Sequence, residues 1–175
     1  MSSESAYIAS LGSSQTILYR VGGPILIGFG TISCILNLVV FASKNLRKNP
    51  CSIYFITVNI CNLLLIYTSI LSSTLAYGYR IDPTPYNLTF CRVRFYAMFV
   101  FVVLGPSYLI CASVDRILLT SRNALTRQWS TTRLAYWCIG SVASFWLLLH
   151  THVLVMMTYV QFAPGVRVCY FQPGI

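Results

Sequence analysis

The sequence predicts an all-α fold, a polytopic bundle of four membrane-spanning helices. Of its 175 residues, 57% are hydrophobic and only 9% are charged, which is more apolar surface than a soluble domain can bury. The apolar residues are gathered in four runs, and each run reaches the roughly 20 residues that one bilayer crossing requires. We predict spanning helices at residues 21–43, 51–77, 92–120 and 132–160.

The first run opens with Gly22-Gly23-Pro24, and a proline in the first turn of a helix loses no needed hydrogen bond. This run is too long for a cleaved signal peptide. The serine-rich residues 1–20 before it are expected to form a short disordered tail. The predicted organisation is therefore this tail followed by one membrane domain at residues 21–175.

The net charge of +9 is spread over the loops instead of forming one stripe, so membrane lipid is a predicted partner and nucleic acid is not. Basic loops favour the cytoplasmic side, and the excess places the N-terminus outside. On the proposed inner side lie seven basic residues, Lys44, Arg47, Lys48, Arg116, Arg122, Arg127 and Arg133, and on the outer side five, Arg20, Arg80, Arg92, Arg94 and Arg167.

Two features fall on the proposed outer side. The acceptor sequence Asn87-Leu88-Thr89 lies there, so Asn87 is a predicted glycosylation site. Of the seven cysteines, only Cys91 and Cys169 face this oxidising side in the proposed topology. We therefore predict one disulfide, between the head of the third helix and the segment after the fourth.

The third helix carries a distinctive pair of ends. Arg116 follows Cys91 by 25 residues, about one membrane crossing, and stands in Ser113-Val114-Asp115-Arg116-Ile117. This pattern is similar to the third helix of rhodopsin-like (class A) G-protein-coupled receptors, with Ile117 in place of the aromatic residue of their Asp-Arg-Tyr motif. The resemblance implies that Asp115 holds Arg116 in the idle state and releases it to the G protein in the active state.

Three further residues resemble the same family, in which they pack between helices: Asn37, Asn62 and Trp146. A single amide that joins helices in any bundle explains Asn37 equally well, and Trp137 competes with Trp146 for its role. The family usually has an Asp where Asn62 stands and a Ser where Gly105 stands, and both help to hold a sodium ion. We therefore predict no functional sodium site.

The ligand cavity of the family maps to Met98, Phe99 and Val102. Receptors for biogenic amines have an Asp at the position of Met98, and a methionine cannot pair with an ammonium ion, so an amine ligand is not expected. The loop before the third helix is expected to present positive charge outward, which suits an acidic or amidated peptide. Its basic residues are Arg80, Arg92 and Arg94.

The resemblance implies a plasma-membrane receptor with an extracellular N-terminus that transmits an extracellular ligand's signal to a heterotrimeric G protein. It also implies three further helices beyond Ile175, so this chain is expected to be a truncated receptor and inactive alone. The alternative is a four-span structural or adhesion membrane protein, whose termini are both cytoplasmic. A channel or transporter subunit normally needs ionisable groups deep in its spans, and apart from a histidine pair none is found here.

No acid, base and nucleophile converge at one depth of the predicted spans, so an enzyme is not predicted, and neither is a cofactor. The only histidines are His150 and His152. Because residues two apart on a helix point to different sides, we expect these two not to face one metal ion.

Overall fold

The computed structural model describes residues 2–82, 84–163 and 166–171. Its elements are helices followed by an antiparallel β-hairpin. In chain order they are α1 (Ser2–Ile17, π-helical Leu18–Gly22 and Gly23–Phe41, without a break), α2 (Pro50–Leu65, π-helical Ile66–Ile70, Leu71–Ser73 and π-helical Thr74–Gly78), α3 (Leu88–Thr120), α4 (Ala124–Arg127), α5 (Thr132–Leu149), α6 (Thr151–Met156), β1 (Met157–Ala163) and β2 (Val166–Phe171).

Four helical stretches are long and apolar enough to cross a membrane, judged by length and composition over the described residues. They are Tyr7–Phe41, Pro50–Gly78, Leu88–Thr120 and Thr132–Met156. The predicted all-α bundle with four spanning helices is therefore confirmed, and its character is that of a multi-pass membrane protein. The third helix ends at Thr120 as predicted, although it begins at Leu88, four residues earlier than expected.

Polar side chains define the starts of three of these helices. At each start, a side-chain oxygen accepts a hydrogen bond from a backbone N–H that has no partner inside the helix. The pairs are Asn49 with Cys51 at the start of α2, Asn87 with Phe90 at α3, and Thr131 with Leu134 at α5, at 3.1, 3.1 and 3.2 Å.

The N-terminal segment is helical, so the prediction of a disordered tail is wrong for residues 2–20. Four hydroxyls of this segment, those of Ser10, Ser13, Ser14 and Thr16, bond to carbonyls one turn back. Ser13 donates to the carbonyl of Ala9 and Thr16 to that of Gly12, both at 3.0 Å. A serine or threonine whose hydroxyl bonds to such a carbonyl is tolerated inside a helix, so the polar composition of this segment did not exclude a helix.

The fourth predicted helix ends early, because residues 157–160 lie in β1 and not in a helix. In the hairpin, Met157 lies opposite Phe171 and Tyr159 opposite Cys169. Tyr159 and its neighbours Thr158 and Val160 are residue types that favour strands. Pairing with a segment distant along the chain, which helix periodicity does not reveal, therefore decides their conformation.

The central helix is α3, since it packs against α2, α5, α6 and β1. Three buried clusters follow it along its length. The middle cluster comprises Val58, Cys61, Val100, Leu104 and Tyr108; a second comprises Cys51, Tyr54, Ala112 and Ala135; and a third comprises Cys91, Val153, Met157 and Cys169. We call the end of the bundle with the second cluster the Asp115 end and the end with the third cluster the disulfide end.

Glycines allow α1 to lie close against α2. A Cβ added at Gly78 would stand 3.1 Å from the backbone nitrogen of Arg20, and one added at Gly30 would stand 2.9 Å from Cδ1 of Ile66. A Cβ added at Gly28 would meet nothing within 4 Å. The contact at Gly78 is with backbone atoms, which cannot rotate away, so this position fixes the distance between the two helices.

Candidate functional site

The Asp115 end contains a buried carboxylate with one hydrogen bond. Asp115 is only 5% exposed, and its Oδ1 accepts a hydrogen bond from the hydroxyl of Ser130 at 2.6 Å. Its Oδ2 is also buried and has no hydrogen-bond partner in the described part of the chain. A buried acceptor without a partner is costly, so the Ser130 hydroxyl is the group that makes burial of this side chain tolerable.

A cavity of about 140 Å³ lies beside this carboxylate. Its lining includes Tyr54, Cys111 and Cys138 in addition to Asp115, and the remaining lining residues are apolar. The carboxylate therefore faces a surface of thiols, a phenol and hydrocarbon, in which an ionised group interacts more strongly with its few partners than it would in water.

Arg116 is exposed and turns away from the carboxylate. Its Nε donates a hydrogen bond at 2.9 Å to the sulfur of Cys51, which lies at the start of α2. Within residues 2–82, 84–163 and 166–171, no ion pair joins it to Asp115. Consecutive helix residues differ in direction by about 100°, which explains the separation. The expected Asp115–Arg116 pair is thus replaced by two bonds, from Ser130 to Asp115 and from Arg116 to Cys51.

The two predicted packing amides have different surroundings. Asn37 donates its Nδ2 to Oδ1 of Asn59 at 3.3 Å, and Asn59 in turn donates to the carbonyl of Phe55 at 2.7 Å. Asn62 instead lies where α2 meets α3, since a Cβ added at Gly105 would stand 3.4 Å from its Oδ1. The structure therefore brings Asn62 next to Gly105 and assigns the bond with α1 to Asn59, which stands three residues earlier on α2.

Trp146 joins α5 to α3. Its Nε1 donates a hydrogen bond to the hydroxyl of Ser107 at 3.0 Å. The Ser107 hydroxyl in turn donates a hydrogen bond to the carbonyl of Val103 at 2.7 Å. The side chain also packs against the middle cluster. Trp137, the competing candidate, is 69% exposed. The interhelical contact therefore belongs to Trp146.

At the disulfide end, the predicted bond between Cys91 and Cys169 is present, with the two Cα atoms 6.1 Å apart. A hydrogen bond supports it, because Nε of Arg92 donates to the carbonyl of Met157 at 3.0 Å. Both strands of the hairpin are thus attached to the first turns of α3, β2 by a covalent bond and β1 by a hydrogen bond.

The expectation that Arg80, Arg92 and Arg94 all present charge outward is only partly met. The side chain of Arg94 is 11% exposed and lies 3.8 Å from a carboxylate oxygen of Asp82, which also accepts a hydrogen bond from the Thr84 hydroxyl. Arg92 is occupied by the hairpin carbonyl, whereas Arg80 is exposed. Two of the three arginines therefore serve to fasten loops.

The residues predicted to line a ligand cavity lie on the disulfide-end half of α3. Phe99 is half-buried, and its ring centroid is 6.1 Å from that of Phe171 and 6.3 Å from that of His150. Met98 is half-buried as well, and Val102 is 49% exposed. Of the three, Phe99 is the one that contacts aromatic groups of both the hairpin and the end of α5.

The two histidines lie side by side, contrary to expectation, with ring centroids 6.0 Å apart. The cause is a break in the helix: His150 has a ψ of 1°, α5 ends at Leu149, and α6 begins at Thr151. An α-helical residue has a ψ near −42°, so the residues after His150 take a different direction. The argument from helix periodicity fails here because the helix is not continuous.

Asn87, the predicted glycosylation site, is exposed at the start of α3. Its Oδ1 is used as the helix cap, whereas a glycan is attached to the side-chain nitrogen. Capping and modification therefore use different atoms of the same side chain.

No known family model matches this chain, and no curated protein matches it. The fold and the two ends define the class of protein: a multi-pass helical membrane protein whose central helix carries a disulfide at one end and a buried carboxylate beside an exposed arginine at the other.

Proposed function

We propose that the chain forms four helices of a rhodopsin-like G-protein-coupled receptor, which passes the signal of an extracellular peptide to a heterotrimeric G protein at the plasma membrane. The observation that carries the proposal is the pair of ends of α3. Cys91 ties one end to the hairpin, and the other end holds Asp115 buried while Arg116 is exposed.

In this proposal, Arg116 is the group that meets the G protein. A guanidinium is permanently charged and presents several donors in a rigid fork, which suits contact with backbone carbonyls and carboxylates of a partner. Its bond to the Cys51 sulfur is weak, because a thiol is a poor acceptor. A partner with oxygen acceptors would therefore displace Cys51 at little cost.

The disulfide end is the proposed ligand side. The ring of Phe99 lies 6.3 Å from that of His150 and 6.1 Å from that of Phe171, centroid to centroid, and these rings offer an aromatic surface for a side chain of the ligand. The absence of an acidic group at Met98 disfavours an amine, and the exposed Arg80 favours an acidic group in the peptide. The contact of Asn62 with Gly105 supports a receptor without a sodium site, since neither supplies a charged ligand.

A nucleotide-exchange assay tests the proposed activity. In nanodiscs, a full-length receptor that includes this chain, as the proposal requires, is expected to accelerate GDP release from a purified heterotrimeric G protein. Arg116→Ala is expected to abolish this acceleration, and Arg122→Ala, which removes an exposed charge from the following loop, is expected to retain it. If the unaltered protein accelerates exchange on no class of heterotrimer, the receptor proposal fails.

Membrane orientation separates the receptor from a four-span structural or adhesion protein. An epitope tag placed before Met1 is expected to bind antibody on intact cells, since the receptor has its N-terminus outside. If antibody binds only after the membrane is permeabilised, the four-span structural protein becomes the better proposal. A tag in the loop at Arg122 serves as the control, because it must show the opposite access.

A further inference from the structure

The break between α5 and α6 creates an arrangement that a continuous helix does not allow. In a helix, residues two apart differ in direction by about 200°. Here the ring of His150 is half-buried among aromatic groups, and the ring of His152, which is exposed, lies 6.0 Å from it, centroid to centroid. The two imidazoles thus share one site at the disulfide end of the bundle.

The hydrogen bonds of the two rings fix which nitrogen carries the hydrogen. Nδ1 of His150 lies 3.0 Å from the carbonyl oxygen of Trp146, and Nδ1 of His152 lies 2.7 Å from that of Leu149. A carbonyl oxygen can only accept, so each Nδ1 must be the N–H donor. In the neutral rings both Nε2 atoms therefore carry a free lone pair.

This is the way in which proteins prepare a histidine to bind a metal. A ligating imidazole usually donates its other N–H to a backbone carbonyl or a carboxylate, which fixes the ring and makes the ligating nitrogen more basic. Metal–nitrogen bonds of about 2.0–2.1 Å place the centroids of two imidazoles on one ion roughly 5 Å apart at a tetrahedral angle and roughly 6.4 Å apart when the two nitrogens lie opposite each other, and the observed 6.0 Å lies between these limits. Neither ring makes another hydrogen bond within the described ranges.

We propose that His150 and His152 form a two-imidazole site for a divalent metal ion of the zinc and copper type, bound through both Nε2 atoms. Imidazole nitrogens prefer these ions to magnesium or calcium. No group of three or more His, Cys, Asp or Glu side chains converges among residues that the structure describes, so water completes the coordination. The site shares His150 with the proposed ligand surface, but it does not rest on the receptor proposal, because it is argued only from the separation and the hydrogen bonds of the two imidazoles.

Metal binding would also restrict the orientation of His150 against the aromatic rings around the site. The ring of His150 lies 5.6 Å from that of Trp146 and 6.3 Å from that of Phe99, centroid to centroid. An ion that joins His150 to His152 holds the turn between α5 and α6 in place. The orientation of His150 against Phe99 is then coupled to metal occupancy.

The sequence allows a direct test, since it contains only two histidines. The full chain, with its disulfide intact and ¹⁵N-labelled at histidine, is titrated with Zn²⁺ in nanodiscs. Both Nε2 resonances are expected to shift together and to saturate at one ion per chain, while both Nδ1 atoms remain protonated. A shift at only one ring, or shifts that do not saturate, would overturn the proposal.

Variants at the exposed histidine complete the test. His152→Ala and His152→Gln are expected to abolish saturable Zn²⁺ binding, whereas Thr151→Ala, at the exposed neighbouring position, is expected to retain it. Since His152 is exposed, these changes spare the buried clusters, and an unchanged far-ultraviolet spectrum confirms folding. Unaltered Zn²⁺ affinity in both His152 variants would contradict the proposal.

Discussion

Ser130 donates its hydroxyl to Oδ1 of Asp115 at 2.6 Å, and this bond joins the loop before α5 to the last turns of α3. The carboxylate is buried and has no second partner in the described ranges. The bond therefore couples two segments that the chain itself separates by α4.

Removal of this hydroxyl is expected to destabilise the fold. Ser130→Ala leaves both carboxylate oxygens of Asp115 without a donor, so the free energy of unfolding should fall by about 1–3 kcal/mol. Thermal unfolding in nanodiscs, followed by circular dichroism, measures the effect. Ser113→Ala is the control, because that exposed serine bonds only to its own helix and its loss should change little. If both serine variants unfold alike, the bond contributes no stability.

The indole N–H of Trp146 is expected to contribute to the contact between α3 and α5. Trp146→Phe keeps most of the ring but removes the donor to Ser107, and should lower the free energy of unfolding by about 0.5–1.5 kcal/mol. Trp137→Phe, at an exposed position, should change it by less than about 0.5 kcal/mol. The same unfolding assay distinguishes them, and equal losses would contradict the assignment of Trp146.

Two glycines of the first helix pair should respond to alanine with opposite signs. Gly78→Ala places a Cβ against the backbone of Arg20 and should destabilise by about 1–3 kcal/mol, because α1 must move away from α2. Gly28→Ala meets no atom and should stabilise by up to about 1 kcal/mol through helix propensity. A stabilising Gly78→Ala would show that the two helices are not in close contact.

Asn87 offers a test of membrane orientation. If the disulfide end faces the lumen and the cell exterior, protein from eukaryotic cells should migrate faster after glycosidase treatment, and Asn87→Asp should abolish this change. Aspartate retains the capping oxygen, so α3 should start normally in the variant. Thr89→Ala should have the same effect on migration. If the wild-type chain carries no glycan, the prediction is wrong and Asn87 serves only as a helix cap.

The spanning helices were accessible to prediction because apolar length follows from composition. The apolar side chains of a run such as 92–120 can leave water only by entering a bilayer or a protein core. The pairing of Cys91 with Cys169 followed in the same way from the order of the spans, and it is confirmed. These features depend on counts and on position along the chain, which the sequence contains.

The partners of the polar groups were not accessible in that way. Asn59 and Asn62 stand three apart and share a face of α2, so periodicity did not decide which one bonds to Asn37. Several other serines and threonines lie between Asp115 and the start of α5, among them Ser121 and Thr131, and no local pattern favours Ser130. Such choices depend on the relative rotation of packed helices.

The turn at His150 and the strand at Met157 were missed for a different reason. Residues 150–163 contain no glycine or proline, which are the strongest sequence signals for the end of a helix. The pairing of β1 with β2 and the disulfide at Cys169 act from outside the segment. Long-range constraints of this kind override the local preference of an apolar run.

The bond between Cys91 and Cys169, which lie 78 positions apart, makes part of the chain a closed covalent ring. Most of α3 and all of α5 and α6 belong to this ring, whereas α1 and α2 precede it in the chain and lie outside it. The exposed Arg122 and Arg127 lie on the ring beyond the Asp115 end of α3. A protease that cuts there opens the ring without dividing the molecule, so the two pieces separate only after a reductant is added.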